Sequence, residues 1–556
     1  MESGTDMLNG LMMDEPLSLI DVLEYGAEVH ATQEIVTAHE GGGTHRQTYP
    51  QTLARVAQLA HALVRLGIGP GDRVGTLAWN NHRHVELYYA TAGMGAVCHT
   101  INPRLPPEQL SYVIQQAEDK LIFFDTTFAP LIAKLRGLFP QHTRYVAMAA
   151  PTDMPRAAGL DDVLCFEDLL AGQAVHYDWP RLDENAACAL CFTSGTTGQP
   201  KGVLYSQRSC LLAVMFAEIG SDAASHVGDR LLPVVPLFHV NGWGTPYIAP
   251  LTGMSLVMPG PQLDGASLFQ LMDDERVTVS YGVPTVWLWL LAEIKKQGRK
   301  PRALRQVLVG GSAPPRNMIW TFEHDYGVEV RQGWGMTETN PIGTMGILTG
   351  QEGQLPLEQR VDIKARGGRR LFGVRMKIVD DHGQALPHDG HAEGQLYVRG
   401  PTVAKAYFKD AAATAKAYDA GGWFGTGDVA RIEADGLMRI VDRTKDVIKS
   451  GGEWISSIDM ENFAAAYPGV VECAVIAVPD PKWAERPLLV VVPDPHDKPT
   501  EAGLKKHLAQ RFAKWQLPDR VLFVTELPHT ATGKVSKRRL RDRYSKPHLA
   551  LKTTAP

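Results

Sequence analysis

The hydrophobic positions recur with two different periods along the first 390 or so residues. The stretch "TYPQTLARVAQLAHALVRL", about residues 48–66, has apolar side chains three and four apart and predicts an amphipathic helix. Similar spacing predicts helices at "HVELYYATAGMGA" and "TVWLWLLAEIKKQ". Between the helices lie short apolar runs such as "KLIFFD", "RLLPVVP" and "RQVLVGG", which predict buried strands. This alternation predicts an α/β fold with largely parallel sheets covered by helices.

The pattern changes after about residue 390. "EGQLYVRGPTVAKAYF" and the stretch from "GWFGTGDV" to "IKSGGEW" predict strands and hairpins with Gly and Asp turns. The remainder of the chain alternates short strands with single helices. We therefore expect a large N-terminal domain at residues 1–443, including a β-rich subdomain, and a small, mobile α+β C-terminal domain at residues 444–556.

Composition narrows the class of protein. A chain of 556 residues with 44% hydrophobic and 21% charged residues is typical of a soluble protein with two or three structural units. Its net charge of −5 argues against a general nucleic-acid partner. No apolar run is long enough for a membrane span, the acidic N-terminus lacks a secretory pattern, and six scattered cysteines fit a reducing compartment. We expect a cytoplasmic protein without integral membrane association.

A glycine- and hydroxyl-rich loop follows the apolar run "AACALCF". The segment "CFTSGTTGQPKG", residues 191–202, offers glycines that let the backbone approach a ligand, hydroxyl donors and the charge of Lys201. This combination predicts a polyphosphate cradle, although its spacing is not that of a Walker loop. On composition alone, a surface turn remains the alternative.

Four later segments decide between these alternatives: "QGWGMTET" (332–339), "GWFGTGDV" (422–429), "DRTKDVIKSGGEWIS" (442–456) and "TGKVSKRRLR" (532–541). Together with "TSGTTGQPKG" they resemble, in order, the core motifs of the adenylate-forming superfamily of acyl-CoA synthetases, peptide-synthetase adenylation domains and luciferases. The chain looks most like an AMP-forming acyl-CoA synthetase. The resemblance implies two reactions: a carboxylate attacks ATP to give an acyl-adenylate and pyrophosphate, and the thiol of CoA then expels AMP.

The resemblance also implies the residues that bind ATP. Glu338 would hold the Mg²⁺ that bridges the phosphates, and Thr337 would contact the α-phosphate. Asp428 would accept hydrogen bonds from the ribose, with Arg443 nearby, and Trp334 stands where the family more often has tyrosine. The implied ATP-binding residues are Thr193, Ser194, Gly195, Thr196, Thr197, Lys201, Gly311, Ser312, Ala313, Gln332, Gly333, Trp334, Gly335, Asp428 and Arg443.

The C-terminal motifs imply a moving domain. Lys534 would stabilise the charge that develops during adenylation, and Lys445 matches the hinge about which the small domain then rotates. The rotation would withdraw Lys534 and bring Lys449 and the CoA-facing segment to the site. The implied CoA-binding residues are Ser450, Gly451, Gly452, Glu453 and Trp454. Because the family often forms homodimers, we expect one here.

The acid is predicted from "PLFHVNGWGTPY", residues 236–247, which resembles the gate of fatty acyl-CoA synthetases. His239, Val240 and Trp243 would separate and gate the acyl channel, and Gly242 replaces the usual alanine before the gate indole. Apolar neighbours such as "TPYIAP" and "YGVPTVWLW" favour a medium-chain monocarboxylic acid, bound by burial of its tail.

Other functions stay open. The enzyme could prefer arylalkyl or methylthio-alkanoic acids, or it could load a carrier protein instead of CoA. The intact CoA-facing "KSGGEWIS" argues for CoA. A non-catalytic nucleotide-binding relative is the alternative from another class, and the charged residues retained in all five motifs argue against it.

Overall fold

A computed structural model describes residue 8 and residues 10–156, 159–193, 199–220, 225–451, 453–529 and 535–545. The strands are, in chain order, β1 (Glu34–Ala38), β2 (Thr44–Thr48), β3 (Arg73–Leu77), β4 (Val97–Thr100), β5 (Leu121–Phe124), β6 (Arg144–Ala147), β7 (Leu164–Cys165), β8 (Ala187–Phe192), β9 (Gly202–Ser206), β10 (Arg230–Pro233), β11 (Ser255–Met258), β12 (Val279–Gly282), β13 (Gln306–Val309), β14 (Glu329–Gly335), β15 (Ile342–Met345), β16 (Gly368–Arg370), β17 (Arg375–Val379), β18 (Gly394–Arg399), β19 (Phe424–Ile432), β20 (Leu437–Arg443), β21 (Ile448–Ser450), β22 (Glu453–Ile455), β23 (Val470–Asp480), β24 (Ala484–Pro493) and β25 (Arg520–Phe523).

The α-helices are α1 (Leu19–Val29), α2 (Tyr49–Arg65), α3 (His82–Gly93), α4 (Pro107–Ala117), α5 (Ala129–Leu135), α6 (Phe166–Leu170), α7 (Gln207–Gly220), α8 (Thr245–Thr252), α9 (Gly265–Asp274), α10 (Pro284–Gln297), α11 (Arg316–Trp320), α12 (Leu357–Lys364), α13 (Ala411–Ala417), α14 (Ser457–Ala464), α15 (Glu501–Leu508) and α16 (Lys537–Tyr544). Among the residues that the structure describes, no helix combines the length and the apolar character that crossing a lipid bilayer requires.

Local chemistry places the helices where the sequence predicts them. The predicted helix over residues 48–66 is α2, and Thr48 begins it with a capping box: its hydroxyl accepts from the Gln51 backbone while the Gln51 side chain accepts from the Thr48 backbone. Pro50 in the first turn needs no hydrogen-bond partner there. The apolar face of α2 is buried, as its spacing predicts.

The strands form three sheets. In the seven-stranded sheet, β7-β6-β5-β3-β4-β8 are parallel and β9 is antiparallel. In the thirteen-stranded sheet, the run from β1 through β11, β10, β12 and β13 to β14 is parallel, and antiparallel strands continue it from β15 to β17. Strands β21–β25 make the third sheet. This confirms the expected α/β class with a β-rich portion and a smaller α+β unit.

Residues 444–447 connect the second sheet to the third. We call the described residues up to Arg443 the large lobe and those from Ile448 onward the small lobe. The small lobe has its own core, in which α14 and α15 pack on β23 and β24 around Met460, Leu489 and Leu504. Parallel strands of both large-lobe sheets end towards the space between the lobes, which is where α/β folds bind ligands.

Candidate active site

A large cavity lies between the two lobes. Its volume is about 1700 Å³, and its walls come from the ends of β8, β13 and β14, from α7 and α8, and from the small lobe. Among the described residues, eleven lysines and arginines line it against nine aspartates and glutamates, although the whole chain carries a net charge of −5. The positive excess is therefore local, and it suits a polyanionic ligand.

Thr193 and Lys201 close the base of the predicted phosphate loop. The Thr193 amide donates to the Lys201 carbonyl over 2.9 Å, and the Lys201 amide donates to the Thr193 hydroxyl over 3.1 Å. Both residues line the cavity. Four further predicted residues of this loop, Ser194, Gly195, Thr196 and Thr197, lie outside the described residues.

Glu338 and Lys201 are joined through an aromatic ring. The Lys201 ammonium lies 4.7 Å from the centre of the Tyr407 ring, and the Tyr407 hydroxyl donates to Glu338 Oε1 over 2.7 Å. Glu338 is buried, and this burial raises the pKa of its carboxyl, while the hydrogen bond from Tyr407 and the charges of Arg443 and Lys201 act in the opposite direction. A carboxyl group and a cation thus lie on one wall, with the Tyr407 ring between them.

The residues around Glu338 fit a magnesium site. Mg²⁺ prefers oxygen ligands and is commonly held by one or two carboxylates together with substrate phosphates, so it needs no dedicated protein cage. Glu338 supplies a carboxylate beside the end of the phosphate loop. The turn that carries it is fixed because the carbonyl of the buried Thr337 accepts from the Tyr205 hydroxyl over 2.6 Å.

The ends of β13 and β14 form the wall predicted for adenine. These strands are parallel neighbours, with Val309 paired to Gln332. The side-chain amide nitrogen of Gln332 donates to the backbone carbonyls of Lys364 and Arg366 over 3.0 and 2.8 Å. These bonds connect this wall to the end of α12. The predicted residues that line the cavity here are Gly311, Ser312, Ala313, Gln332, Gly333, Trp334 and Gly335.

Asp428 lies between an indole and a guanidinium. Trp334 Nε1 donates to Asp428 Oδ2 over 3.2 Å, and Arg443 Nε lies 2.9 Å from Asp428 Oδ1. Asp428 and Arg443 face each other across the β19–β20 pair, so the sheet register sets this contact. The face of the indole lies against Gly343, where a Cβ would be 2.6 Å from Trp334 Cζ3. The structure therefore brings the predicted residues Trp334, Asp428 and Arg443 together. The indole of Trp334 donates to Asp428, whereas the hydroxyl of a tyrosine, which the family more often has here, would lie at a different point.

The predicted gate is a left-handed turn. The backbone φ angles of Val240, Asn241, Gly242 and Trp243 are 48°, 52°, 57° and 56°. This conformation is uncommon for residues with a Cβ and is a genuine outlier for a β-branched one. Each such non-glycine residue costs about 1–3 kcal/mol and persists only where the surrounding structure holds it, and residues of this kind cluster at functional sites. The turn is thus strained where the sequence predicts the gate.

Glycines shape the channel around Trp243. A Cβ at Gly242 would lie 2.5 Å from Leu237 Cδ2, which gives a physical reason for glycine in place of alanine. A Cβ at Gly310 would lie 2.7 Å from Trp243 Cη2, so the indole rests directly on the backbone after β13. Trp243 and His239, which precedes the turn, both line the cavity.

One face of α7 lines the cavity where the sequence predicts the acyl channel. The spacing of its cavity-lining residues is that of a helical stripe: Cys210, Ala213, Val214, Ala217 and Glu218. The stripe is about 12 Å long at the helical rise. It is apolar until Glu218, whose pKa is raised by burial, although a hydrogen bond from Ser225 and the charge of Arg331 oppose the rise. The channel is therefore less uniformly apolar than the sequence predicts.

Among the described residues, one of the two predicted faces of the small lobe lines the cavity. Val535, Ser536 and Lys537 line the cavity, as does Lys445, whose pKa is lowered by partial burial. Lys534 and Gly452 lie outside the described residues.

The described part of the CoA-facing segment contributes nothing to the cavity wall. There, the Lys449 amide donates to Glu485 over 2.8 Å, and the Lys449 ammonium lies 5.7 Å from the centre of the Trp454 ring. The Ser450 hydroxyl accepts from Arg486 over 3.2 Å, and the Gly451 amide donates to the Trp483 carbonyl over 2.8 Å. Glu453 belongs to β22, at the far edge of the third sheet.

Sequence reasoning missed two residues of this site. Tyr407, which contacts both Lys201 and Glu338, lies in "AKAYF", a stretch that contains no recognisable motif. Glu218 could have been noticed, since it is the one charged residue in the otherwise apolar run "LLAVMFAEIG" of α7.

Comparisons with known proteins agree with this geometry. Residues 23–408 match the family described as AMP-binding enzyme, and residues 459–534 match the AMP-binding enzyme C-terminal domain. A 3-methylmercaptopropionyl-CoA ligase of Ruegeria lacuscaerulensis is 46% identical over 96% of this chain and 98% of its own length. A medium-chain-fatty-acid–CoA ligase of Ectopseudomonas oleovorans is also 46% identical, over 96% of this chain and 97% of its own. The crystal structure of an anthranilate CoA ligase in complex with anthranoyl-AMP covers 97% of this chain and 99% of its own, with a TM-score of 0.85 at 26% identity.

These matches confirm the fold class and the adenylate-forming enzyme class expected from the motifs. Because the first family model alone spans well over half of the residues, this chain belongs to the family of AMP-binding enzymes.

Proposed function

We propose that this chain is an ATP-dependent, AMP-forming acyl-CoA synthetase that acts on monocarboxylic acids with apolar, medium-length chains. The observation that carries the proposal is the shape of the cavity. One end gathers Lys201, Glu338, Asp428 and Arg443, and the other continues along the apolar stripe of α7 past Trp243. A cavity of this kind brings a nucleotide polyphosphate and an aliphatic carboxylate to one place.

In the first reaction, the acid needs no general base, because a carboxylate is already ionised at neutral pH. What the attack on the α-phosphate needs is alignment and neutralisation of charge. Lys201 and the phosphate loop would hold the β- and γ-phosphates, Thr337 would contact the α-phosphate, and Asp428 would hold the ribose. Mg²⁺ bound to Glu338 would neutralise negative charge on the phosphates.

Lys534 and the small lobe complete the proposal. Val535 and Ser536 follow Lys534 directly and line the cavity, which supports a place for the Lys534 ammonium near the reacting carboxylate. We further propose that the lobes, divided at residues 443 and 444, rotate about Lys445 after adenylation. The rotation would bring Lys449 and residues 450–454 to the cavity, where they would guide CoA. The short connection of residues 444–447 between the two sheets supports such a motion.

The choice of acid rests on the channel rather than on the relatives. One relative that is 46% identical is named for a methylthio-substituted short acid and the other for medium-chain fatty acids, so the names do not decide between them. The stripe of α7 is apolar as far as Ala217 and reaches Glu218 about 12 Å from its start, and this length supports a medium-length chain. A methylthio-alkanoic acid is the second candidate, favoured by the first of these relatives.

We also propose a cytoplasmic homodimer. All six cysteines are free, which supports a reducing compartment. Exposed apolar side chains near the N-terminus, Leu11, Met12 and Met13, are 97%, 90% and 88% exposed and would be covered by association. Sedimentation of the full chain tests the dimer, and a monomer at micromolar concentration would contradict it.

The reaction is tested by measuring pyrophosphate release from ATP and Mg²⁺ with straight-chain acids from two to sixteen carbons, with and without CoA. We expect the highest kcat/KM near octanoate and a CoA-dependent yield of acyl-CoA and AMP. An optimum at acetate would contradict the predicted channel. Pyrophosphate release without any CoA thioester would instead indicate an enzyme that loads a carrier protein.

A further inference from the structure

The first turn of α14 fastens the small lobe to the large lobe. The Ser457 amide and the Ser457 hydroxyl both donate to Asp442 Oδ2 over 2.6 Å. The preceding Ser456 hydroxyl donates to the Val441 carbonyl over 2.5 Å. Asp442 and Val441 belong to β20 of the large lobe, so one turn of helix holds the end of that strand through side chain and backbone.

A third contact strengthens the same junction. Arg439 Nη2 donates to both carboxylate oxygens of Asp459 over 2.7 and 2.6 Å. Asp459 is two residues beyond Ser457, and its own amide donates to the Ser456 hydroxyl over 3.1 Å. The bridging small-lobe side chains therefore come from a single turn, whose geometry is fixed by its own cap.

The same turn also holds the start of α16. The Lys537 ammonium donates to the Ser457 hydroxyl over 2.5 Å and lies 2.8 Å from Glu461 Oε1. Lys537 and Glu461 are largely buried, with side chains 13% and 19% exposed. Burial lowers the pKa of Lys537, but the charges of Glu461 and Asp442 outweigh this effect and raise it, so the side chain stays a cation. A hydroxyl can donate once and accept as well, so Ser457 can link carboxylate and ammonium at the same time.

This network connects lobe orientation to the cavity wall. Lys537 begins α16, and the residues just before it, Val535 and Ser536, line the cavity. Asp442 precedes the connection of residues 444–447, whereas Ser457 and Lys537 follow it. Any rotation of the lobes about that connection must break the bond between Asp442 and Ser457, while the contacts of Lys537 with Ser457 and Glu461 can persist.

We infer that Ser457 and Lys537 are positioning residues: they hold the small lobe in the orientation that presents residues 535–538 to the cavity, and their own polar atoms are engaged by each other, Asp442 and Glu461. The inference rests on the proposed function, in which this orientation serves adenylate formation. The network then favours the first reaction and has no part in the second.

Two variants test this inference. Ser457→Ala removes the hydroxyl link and leaves the buried ion pair intact. The double variant K537M/E461Q removes the pair as a unit, so that neither Lys537 nor Glu461 is left buried without the other, and Asp442 keeps its hydrogen bonds from Ser457. For both variants we expect pyrophosphate formation from octanoate and ATP to fall about tenfold, as for the loss of one hydrogen bond to a charged group. Thioester formation from supplied octanoyl-adenylate and CoA should change less than about twofold, because it does not use this orientation.

Arg539→Gln is the matched control, since Arg539 is an exposed cation on the same helix and does not line the cavity. It should leave both reactions unchanged. Equal losses in the two reactions would overturn the inference, because a merely structural role lowers both.

Small-angle X-ray scattering of the substrate-free variants tests the inference independently of the proposed function. We expect a larger radius of gyration in Ser457→Ala than in the wild type, and an unchanged scattering curve would also overturn the inference. A wild-type chain that forms no adenylate with any acid would contradict only the proposed function.

Discussion

The nucleotide end and the acyl end of the cavity are built by different physical means. At the nucleotide end, buried charges are held by specific partners, as Glu338 is by Tyr407 and Asp428 by Arg443. At the acyl end, the channel is shaped by missing Cβ atoms at Gly242 and Gly310 and by a strained left-handed turn. Paired charges fix residue types at a few positions, whereas a shaped channel can be altered one methyl group at a time. The first end should therefore determine whether the reaction occurs, and the second which acid reacts.

The largest effect is expected from Glu338→Gln. An amide keeps the oxygen that accepts from Tyr407 but removes the charge proposed to hold Mg²⁺. We expect the kcat for pyrophosphate release to fall on the order of 100-fold, by a similar factor for every acid. Stopped-flow detection of pyrophosphate measures this. A loss below about threefold, or a change in the preferred acid, would contradict the proposed division of roles.

Trp243→Ala should change preference instead of rate. Removing the indole from the backbone of Gly310 opens the channel, and each additional buried methylene contributes about 0.8 kcal/mol. We expect the ratio of kcat/KM for dodecanoate over octanoate to rise about tenfold, with the KM for ATP unchanged. Gly310→Ala is the opposite variant and should lower the same ratio. Equal effects of Trp243→Ala on both acids would show that the indole is not a gate.

Trp334→Phe should have a moderate effect confined to the nucleotide. An aromatic ring is kept beside Gly343, but Asp428 loses the indole donor and retains Arg443. We expect the KM for ATP to rise about fivefold, in line with a hydrogen bond to a charged group. The relative rates of different acids serve as the internal control, because they should not move.

The smallest effect is a pH dependence from Glu218. Its pKa is raised by burial, so the carboxyl stays protonated above the usual glutamate range and ionises as the pH rises through the raised value. An apolar chain beside it excludes water and favours the neutral form. The KM for octanoate should therefore be lowest at low pH, and it should rise by about threefold as the pH passes from the ordinary glutamate pKa through the raised pKa of Glu218.

Glu218→Gln should remove this dependence while the KM for ATP follows the same pH profile in both proteins. The free energy of unfolding should also fall as the pH rises, for the same reason. The contribution of a protonated Glu218 is present below the ordinary glutamate pKa and is lost as the pH rises through the folded-state value, so urea titrations of the wild type should show a steeper decline than those of Glu218→Gln.

The two ends also differ in how well the sequence predicts them. Motif positions such as Thr337, Glu338 and Asp428 were predicted from the resemblance of their segments to the motifs of the adenylate-forming superfamily, and the structure places them on one cavity. The alternation of apolar runs predicted the parallel strands because each is buried on both faces. Local signals also set helix starts, as Thr48 and Gln51 do for α2.

What the sequence did not predict depends on contacts between distant segments. Tyr407 comes 69 residues after Glu338, and Lys537 comes 80 residues after Ser457, so no local pattern links them. The left-handed turn at residues 240–243 contradicts the intrinsic preference of valine and tryptophan, and only the surrounding packing can impose it. The carboxylate on the α7 stripe interrupts an apolar channel for a reason that periodicity does not reveal.

The most direct test of the central claim is one chain-length profile of kcat/KM, measured side by side for the wild type, Glu338→Gln and Trp243→Ala. If the two ends act separately, the profile of Glu338→Gln will run parallel to that of the wild type at a much lower level. The profile of Trp243→Ala will keep its height but move its maximum to longer acids. A shifted maximum in Glu338→Gln, or a uniform loss in Trp243→Ala, would contradict the account.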